Sequence, residues 1–176
     1  MTYVGGGFLP IICINNNPII ILGREYYGKN KGLYADFGGG IDYKKDSNIY
    51  DTILRETREE FYILIKNIYQ LPHVDVPNNN RKYYKLIIGK IDNYSSDYFY
   101  LMREHYKQIQ GKNKYSCFTE IDKLNYVPLS NIINSILNNN NYVKDINGNN
   151  IKLRNRLWNT FKYTSALGII KHICEY

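Results

Sequence analysis

The first part of the chain alternates short apolar runs with polar breaks. Residues 8–14 and 18–22 are apolar and are separated by three asparagines, a pattern that predicts a β-hairpin. A further apolar run over residues 33–37 predicts a short strand, and the glycines at 38–40 predict the turn that stops it. The runs at 8–14 and 18–22 are far shorter than the roughly 18 residues that a membrane-spanning helix needs, so we expect no contact with a membrane.

After residue 46 the apolar positions change to a helical period. The buried stripe consists of residues four apart: Ile49, Ile53, Thr57 and Phe61. Residues suited to capping a helix stand directly before it: Asp46, Ser47 and Asn48. This pattern predicts a helix that begins at one of these caps and ends near residue 61.

The rest of the chain predicts strands mixed with a few helices. Strands are expected at residues 63–71, 83–91 and 120–127, and loops at 72–80 and 138–150. Helices are expected at 98–110, from the cap Ser130 to residue 137, and over 153–173 as one long basic C-terminal helix. Without regular strand–helix alternation, an α/β or α+β sandwich is expected, with residues 1–176 forming one domain.

The composition narrows the cellular setting. Cys13, Cys117 and Cys174 are odd in number and fit neither a zinc site nor a disulfide scaffold, so we interpret them as buried or inert thiols in a reducing compartment. No basic segment followed by a continuous apolar stretch opens the chain, which favours a cytoplasmic location. Asn, Ile, Lys and Tyr are over-used and only two alanines occur, a bias typical of an AT-rich genome.

Positive charge is concentrated in two segments. The formal net charge is +7; residues 81–114 carry eight Lys or Arg against three acids, and residues 151–176 carry five against one. The remaining residues sum to −2, which suits a metal site opposed to a polyanion-binding surface. Under that interpretation Lys152, Arg154 and Arg156 contact phosphates; the alternative is an ordinary solvated basic surface.

Three glutamates stand together in the second half of the predicted helix. Glu56, Glu59 and Glu60 are spaced i, i+3 and i+4, so their side chains share one helical face. Like charges at this spacing disfavour a helix, and a hard divalent cation such as Mg²⁺ would offset the repulsion. The alternative is a solvated charged face, and the glycine-rich turn just before the helix favours the metal site.

The window from residue 38 to residue 60 resembles the Nudix box, Gly-x5-Glu-x7-Arg-Glu-U-x-Glu-Glu-x-Gly-U, where U is aliphatic. Its Arg-Glu-x-x-Glu-Glu half is matched by four residues: Arg55, Glu56, Glu59 and Glu60. Thr57 takes a U position. The stretch before Arg55 is two residues longer than the pattern, which leaves Asp42 or Asp46 in place of the upstream Glu, and Tyr62 replaces the later Gly, which we expect to change how the helix ends.

The resemblance implies a Nudix-type α/β/α sandwich around a mixed sheet and hydrolysis of a phosphoanhydride with Mg²⁺ or Mn²⁺. It implies that Glu56, Glu59 and Glu60 bind metal and that Arg55 orients a glutamate. The general base remains open between Glu59 and Glu120. Substrate contacts are expected from four further residues: Arg24, Gly38, Gly39 and Gly40.

The resemblance leaves the substrate open among nucleoside diphosphate-linked molecules. The basic segments and the AT-rich bias, which large DNA viruses share, favour the 5′ cap of mRNA. Small nucleotides (an NTP, ADP-ribose or NADH) and diphosphoinositol phosphates are the alternatives within the enzyme class. From another class, the competitor is a catalytically idle module that binds RNA or protein, against which the intact glutamates argue.

Overall fold

The computed structural model describes residues 1–92, 94–110 and 117–175. Seven strands form one sheet: β1 (Thr2–Ile14), β2 (Asn17–Glu25), β3 (Tyr34–Ala35), β4 (Phe37–Gly40), β5 (His73–Asn78), β6 (Lys82–Lys90) and β7 (Ile121–Pro128). A separate hairpin consists of β8 (Tyr142–Lys144) and β9 (Asn150–Lys152). The helices are α1 (Ile49–Phe61), α2 (Ser96–Gln110), α3 (Leu129–Leu137), α4 (Asn155–Tyr163) and α5 (Ala166–Ile173).

Strand β1 is the centre of the large sheet. It pairs in parallel with β6 along one side, and on the other side it pairs antiparallel with β4 and then with β2. Strands β3 and β7 extend the sheet from β2, while β5 is its edge beyond β6. The sheet is therefore mixed.

Helices cover both faces of this sheet. Neighbouring residues in a strand point to opposite faces, so two adjacent residues of β1 show what packs on each side. Leu9 of β1 belongs to the apolar cluster that also holds Trp158 and Phe161 of α4. Phe8, the residue before it, is buried in the cluster that contains Ile53 of α1. The α/β/α sandwich around a mixed sheet is thus confirmed. Among the described residues, no helix is long and apolar enough to cross a membrane.

Several predicted elements are confirmed with small changes in length. The hairpin, α1, α2, β6 and β7 lie where the pattern placed them. Asn48 is the N-cap of α1, and its side chain accepts the backbone N–H groups of Tyr50 and Asp51. Helix α3 is also present, but its predicted cap is wrong: Pro128 holds the N-cap position and Ser130 lies inside the helix.

The predicted turn at residues 38–40 is wrong. These three glycines belong to β4 and pair with Gly5, Gly6 and Gly7 of β1. A Cβ at Gly38 would lie 2.3 Å from the Cα of Gly7, so glycine is required by the close approach of the two strands.

The predicted strand at 63–71 is also wrong, and so is the loop at 72–80. Asn67 has φ 52°, a left-handed conformation that interrupts an extended chain, and Ile68–Gln70 form a short 3-10 helix. Strand β5 follows instead. Its Val74 and Val76 alternate into the core, and Pro77 is tolerated because β5 is an edge strand.

The C-terminal prediction of one helix over 153–173 is wrong. Thr164 is extended, with φ −129° and ψ 176°, and it separates α4 from α5. Its hydroxyl donates to the carbonyl of Thr160 and accepts the N–H of Ala166, so it terminates one helix and begins the next. Strands β8 and β9 occupy part of the predicted loop at 138–150.

The interpretation of Cys13 and Cys174 as separate thiols is wrong as well. The two form a disulfide that links β1 to the residue following α5, across 161 residues of sequence. Cys117 is a free thiol, as predicted.

Tyr62 ends α1 in the conformation that a glycine would take, with φ 60° and ψ 24°. The expected change of the helix end is therefore wrong. The ring compensates for the left-handed backbone by packing with Phe99 and Tyr106, and its hydroxyl donates to the carbonyl of Phe118.

Tyr62→Gly should lower the free energy of unfolding by about 2–4 kcal/mol. Relief of the left-handed backbone returns about 1 kcal/mol, whereas loss of a buried aromatic side chain costs about 3–5 kcal/mol. Tyr62→Phe, which removes only the hydroxyl bond, should cost about 1 kcal/mol. Urea unfolding of the three proteins checks this order; a Gly variant as stable as the parent would contradict it.

Candidate active site

The carboxylates of α1 lie beside β4, where a buried ion pair fixes the loop before the helix. Arg55 donates from Nε to Oδ1 of Asp46 at 2.9 Å and from Nη2 to Oδ2 at 2.8 Å. The Asp46 carboxylate also accepts the hydroxyl of Thr52 and the N–H of Asp42. Of the two acids that could replace the upstream Glu of the Nudix box, the structure thus brings Asp46 to Arg55.

The hydrogen bonds from Arg55 are the main reason that the pKa of Asp46 falls to about 2. A carboxylate whose pKa is lower in the folded than in the unfolded state stabilises the fold above its unfolded pKa and loses that contribution as the pH falls.

Asp46→Asn should therefore cost about 2 kcal/mol of stability at pH 7. The difference between parent and variant should shrink as the pH falls from about 4 to about 2, where Asp46 itself becomes neutral. Denaturant unfolding across this range measures it. A constant difference at all pH values would contradict the ion-pair origin.

Arg55 also reaches the helical carboxylates. Its Nη1 donates to Glu56 at 2.8 Å and to Glu59 at 3.3 Å, and its Nη2 donates to the carbonyl of Gly40 at 3.2 Å. Glu56 and Glu59 keep side-chain exposures of only 13% each. Arg55 thus holds two predicted metal ligands on one side, in agreement with the orienting role that the resemblance implies.

Glu60 is the most buried member of the cluster, at 7% exposure. Its Oε2 accepts the N–H of Gly38 at 2.6 Å. Burial, followed by the negative charges of Glu56 and Glu120, raises the pKa of Glu60 well above its usual value. The N–H of Gly38 is therefore used by a protein carboxylate.

Glu120 comes from a different part of the chain, immediately before β7, and is exposed. Its pKa is nevertheless raised, first by desolvation and then by the charges of Glu56, Glu25 and Glu59. The pKa of Glu56 is raised as well, mainly by desolvation, against the lowering effect of Arg55. Glu120, predicted from sequence as a candidate base, is therefore brought within electrostatic range of the α1 carboxylates.

The donor set suits a hard divalent cation. The pKa values of Glu56, Glu60 and Glu120 are raised first by desolvation and also by neighbouring carboxylates, so the ionised forms are destabilised, and binding of Mg²⁺ or Mn²⁺ would offset this. Within residues 1–92, 94–110 and 117–175, no three acidic, His or Cys side chains stand as a preformed metal site. Arg55 occupies the space between Glu56 and Glu59.

Gly39 lies against the carboxylate of Glu56. A Cβ placed on Gly39 would be 2.4 Å from Oε1 of Glu56, whereas a Cβ on Gly40 would meet nothing closer than 3.8 Å. The absence of a side chain at Gly39 therefore leaves the space that the Glu56 carboxylate occupies.

Gly39→Ala should reduce hydrolysis about a hundredfold, because a displacement of about 1 Å at a reacting centre has an effect of this size. Gly168→Ala is the matched control, because a Cβ at this position on α5 would meet nothing within 4 Å, and it should retain most of the activity. Initial rates of both variants at saturating metal give the comparison, and equal rates would show that the Glu56 position is unimportant.

The remaining predicted substrate residue, Arg24, forms a two-point ion pair with Asp122, with both N–O distances at 2.8 Å. Arg24 lies on β2, and its side chain is 38% exposed. Its contact with substrate stays a prediction, as does that of the three glycines of β4.

The basic C-terminal segment is not a free positive surface. Arg154 pairs with Glu25 at 2.7 Å, and Arg156 pairs with the buried Asp36 at 3.0 Å. Lys152 alone of the predicted trio is exposed without such a pair among the described residues. The expectation that all three contact the phosphates of a polyanion stays a prediction, and both arginines already have acidic partners in the fold.

Sequence reasoning missed the network that Arg156 joins. Asp36, directly before the glycines, accepts the hydroxyl of Tyr84 at 2.7 Å, and the Arg156 guanidinium lies 3.7 Å from the centre of the Tyr84 ring. A buried acid at the end of an apolar run was the available signal, because such a group requires a partner. The identity of a partner 120 residues away could not be inferred from it.

No protein-family model and no curated protein sequence matches the chain. Its fold is similar to that of the NUDIX domain of Shewanella oneidensis NrtR, solved in complex with ADP ribose, at 13% identity over 76% of this chain and 77% of that one, with a TM-score of 0.51. The Nudix hydrolase RenU of M. smegmatis (10% identity, 89% and 79% covered, TM-score 0.49) and a C. elegans Ap4A hydrolase (17%, 74% and 83%, 0.48) are further similar structures.

The likeness to the NrtR domain establishes the architecture. With strands, helices and the carboxylate-bearing α1 in place, the chain has the Nudix fold. The fold that the Nudix-box resemblance of residues 38–60 implied is therefore confirmed.

Proposed function

We propose that the protein is a Mg²⁺- or Mn²⁺-dependent hydrolase that cleaves a phosphoanhydride bond in a small nucleoside diphosphate-linked substrate. The observation that carries this proposal is the contact of Glu56 and Glu59 with Arg55, with Glu60 and Glu120 within electrostatic range of Glu56. A diphosphate requires charge neutralisation and an attacking water requires a base, and an acidic cluster with a divalent cation serves both needs.

Each residue has a role that follows from its contacts. Glu56, Glu59 and Glu60 would hold the cation, which supplies positive charge to the diphosphate and acidifies water. Arg55 positions Glu56 and Glu59 through its Nη1. Glu120 is the better candidate base of the two, because it is exposed and its raised pKa favours uptake of a proton; Glu59 remains the second candidate.

A small nucleotide fits the charge distribution better than capped RNA. Arg154 and Arg156, which would have followed an RNA backbone, are paired with acids and line one cavity instead of an extended groove. In the other basic segment Lys85 and Arg103 are buried, at 4% and 7% exposure, whereas four further basic residues are exposed: Arg81, Lys82, Lys90 and Lys107. The NrtR domain, with the same fold, was solved with ADP ribose, which makes ADP-ribose a reasonable first substrate to test.

A substrate panel tests the proposal. ADP-ribose, NADH, nucleoside triphosphates, a dinucleoside polyphosphate, a diphosphoinositol phosphate and capped RNA are each incubated with Mg²⁺ or Mn²⁺, and products are separated by chromatography. At least one small nucleotide should be cleaved with a higher kcat/KM than capped RNA. Preference for capped RNA would restore the decapping interpretation, and no cleavage of any substrate would favour a binding module without catalysis.

A further inference from the structure

A cavity of about 630 Å³ opens beside the network of Asp36 and Tyr84. It is bounded by the segment between β2 and β3, the end of β5 and the start of α4. Its polar lining includes Lys29, Arg154, Arg156 and Asn159, and Val76 and Pro77 form an apolar wall. The volume is that of a small-molecule site, and no carboxylate belongs to the lining that the structure describes.

The lining carries a surplus of positive charge. Arg154 and Arg156 are paired with Glu25 and Asp36, but neither acid faces the cavity. Lys29 is exposed and has no ion-pair partner among the described residues. Three cations against two acids leave one positive charge, and all three cations are available from the cavity side.

The guanidinium of Arg156 is fixed in position at the cavity by its neighbours. Its Nη2 donates to Asp36, its guanidinium covers the Tyr84 ring, and its Nε is buried without a hydrogen-bond partner among the described residues. Burial opposes the charged form, but Asp36, Tyr84 and Glu60 outweigh it and raise the pKa of Arg156, so the charge is permanent.

The start of α4 adds hydrogen-bond donors at the same place. Arg154 is the N-cap, and its side chain makes no capping bond to the first turn. The backbone N–H groups of that turn therefore add a positive partial charge near Arg154 and Arg156. A compact anion with several oxygen atoms matches this combination better than a single carboxylate.

The cavity is connected to the carboxylate cluster through direct contacts. Arg156 binds Asp36, Asp36 accepts the hydroxyl of Tyr84, and that hydroxyl lies 2.3 Å from where a Cβ of Gly38 would be. Gly38 in turn donates its N–H to Glu60. The two sites therefore adjoin each other and share a wall formed by Asp36, Tyr84 and Gly38.

We propose that this cavity is a second anion site, which binds a phosphate group of the substrate other than the diphosphate that is cleaved. The inference rests on the proposed function and narrows its substrate class to nucleotides with an additional terminal phosphate. The enclosed volume favours a phosphomonoester over a polymer backbone. Since Arg156 already covers the Tyr84 ring, recognition is by charge and not by stacking of a base on that ring.

Binding of AMP and of adenosine to the EDTA-treated protein tests the site by calorimetry, because without metal the carboxylate cluster repels phosphate. AMP should bind and adenosine should not. Lys29→Gln should weaken AMP binding about five- to tenfold, as expected for loss of one charged contact. Lys31→Gln, an exposed lysine in the same segment outside the cavity lining, is the matched control and should bind AMP as the parent does.

The outcomes separate this inference from the proposed function. Equal binding of AMP and adenosine, or equal effects of Lys29→Gln and Lys31→Gln, would overturn the phosphate site while hydrolysis at the carboxylates still stands. Glu59→Gln should bind AMP like the parent although its hydrolysis is reduced about a thousandfold. AMP binding by a protein that cleaves no member of the substrate panel would overturn the proposed function and leave only an anion site.

Discussion

Glu59→Gln and Glu60→Gln are each expected to reduce hydrolysis about a thousandfold, the effect of losing several kcal/mol of transition-state stabilisation by a metal site. Glutamine keeps the size of the side chain, and at position 60 it can still accept the N–H of Gly38. The fold should therefore remain, with stability within about 1 kcal/mol, because removal of one charge also relieves repulsion between the helical carboxylates.

Glu104→Gln supplies the control for this pair of variants. Glu104 lies on α2 with 59% of its side chain exposed, and it pairs with Lys107. Its loss should change neither the rate nor the stability measurably. Rates close to the parent in both Glu59→Gln and Glu60→Gln would return the α1 glutamates to an ordinary charged surface.

Removal of divalent cations should abolish hydrolysis. The carboxylates around Arg55 carry a negative charge that repels a diphosphate, and a cation is needed to bring the two together. Dialysis against EDTA followed by assays with and without added Mg²⁺ or Mn²⁺ measures the effect. Full activity after exhaustive chelation would contradict the metal site, and recovery with Mn²⁺ excludes irreversible unfolding as the cause of the loss.

Helix α1 and its carboxylates could be predicted because their signals are local. The cap at Asn48, the four-residue apolar period and the i, i+3, i+4 spacing of the glutamates all lie within one short segment. Thr57, at an aliphatic position of the motif, is buried without penalty because its hydroxyl donates to the carbonyl of Ile53 at 2.7 Å. The helix therefore accepts a polar substitution that sequence alone leaves unexplained.

The errors arise where distant residues decide the local structure. The glycines at 38–40 look like a turn by composition, and only their pairing with the equally glycine-rich start of β1 makes them a strand. Residues 63–71 have strand composition, but Asn67 adopts a left-handed conformation that breaks it. Alternation of Val74 and Val76 was the available signal for β5, and Pro77 concealed it.

The structure of the C-terminal region depends on contacts that the neighbouring sequence does not indicate. Helices α4 and α5 are separated at Thr164, whose side chain bonds to Thr160 in one helix and to Ala166 in the next. The disulfide between Cys13 and Cys174 joins opposite ends of the chain, and an odd number of cysteines gives no indication of the pairing. The ion pairs of Arg154 and Arg156 likewise reach back more than 100 residues to Glu25 and Asp36.

Direct measurement of Mn²⁺ binding tests the central claim, that the α1 carboxylates form a divalent metal site. Mn²⁺ is added stepwise to the metal-free protein, and the concentration of free Mn²⁺ is measured by electron paramagnetic resonance. The parent is compared with a Glu56→Gln, Glu59→Gln double variant. Denaturant unfolding of both confirms that the variant is folded. The account predicts saturable binding by the parent and a large loss of affinity in the variant; equal affinity in two folded proteins would contradict it.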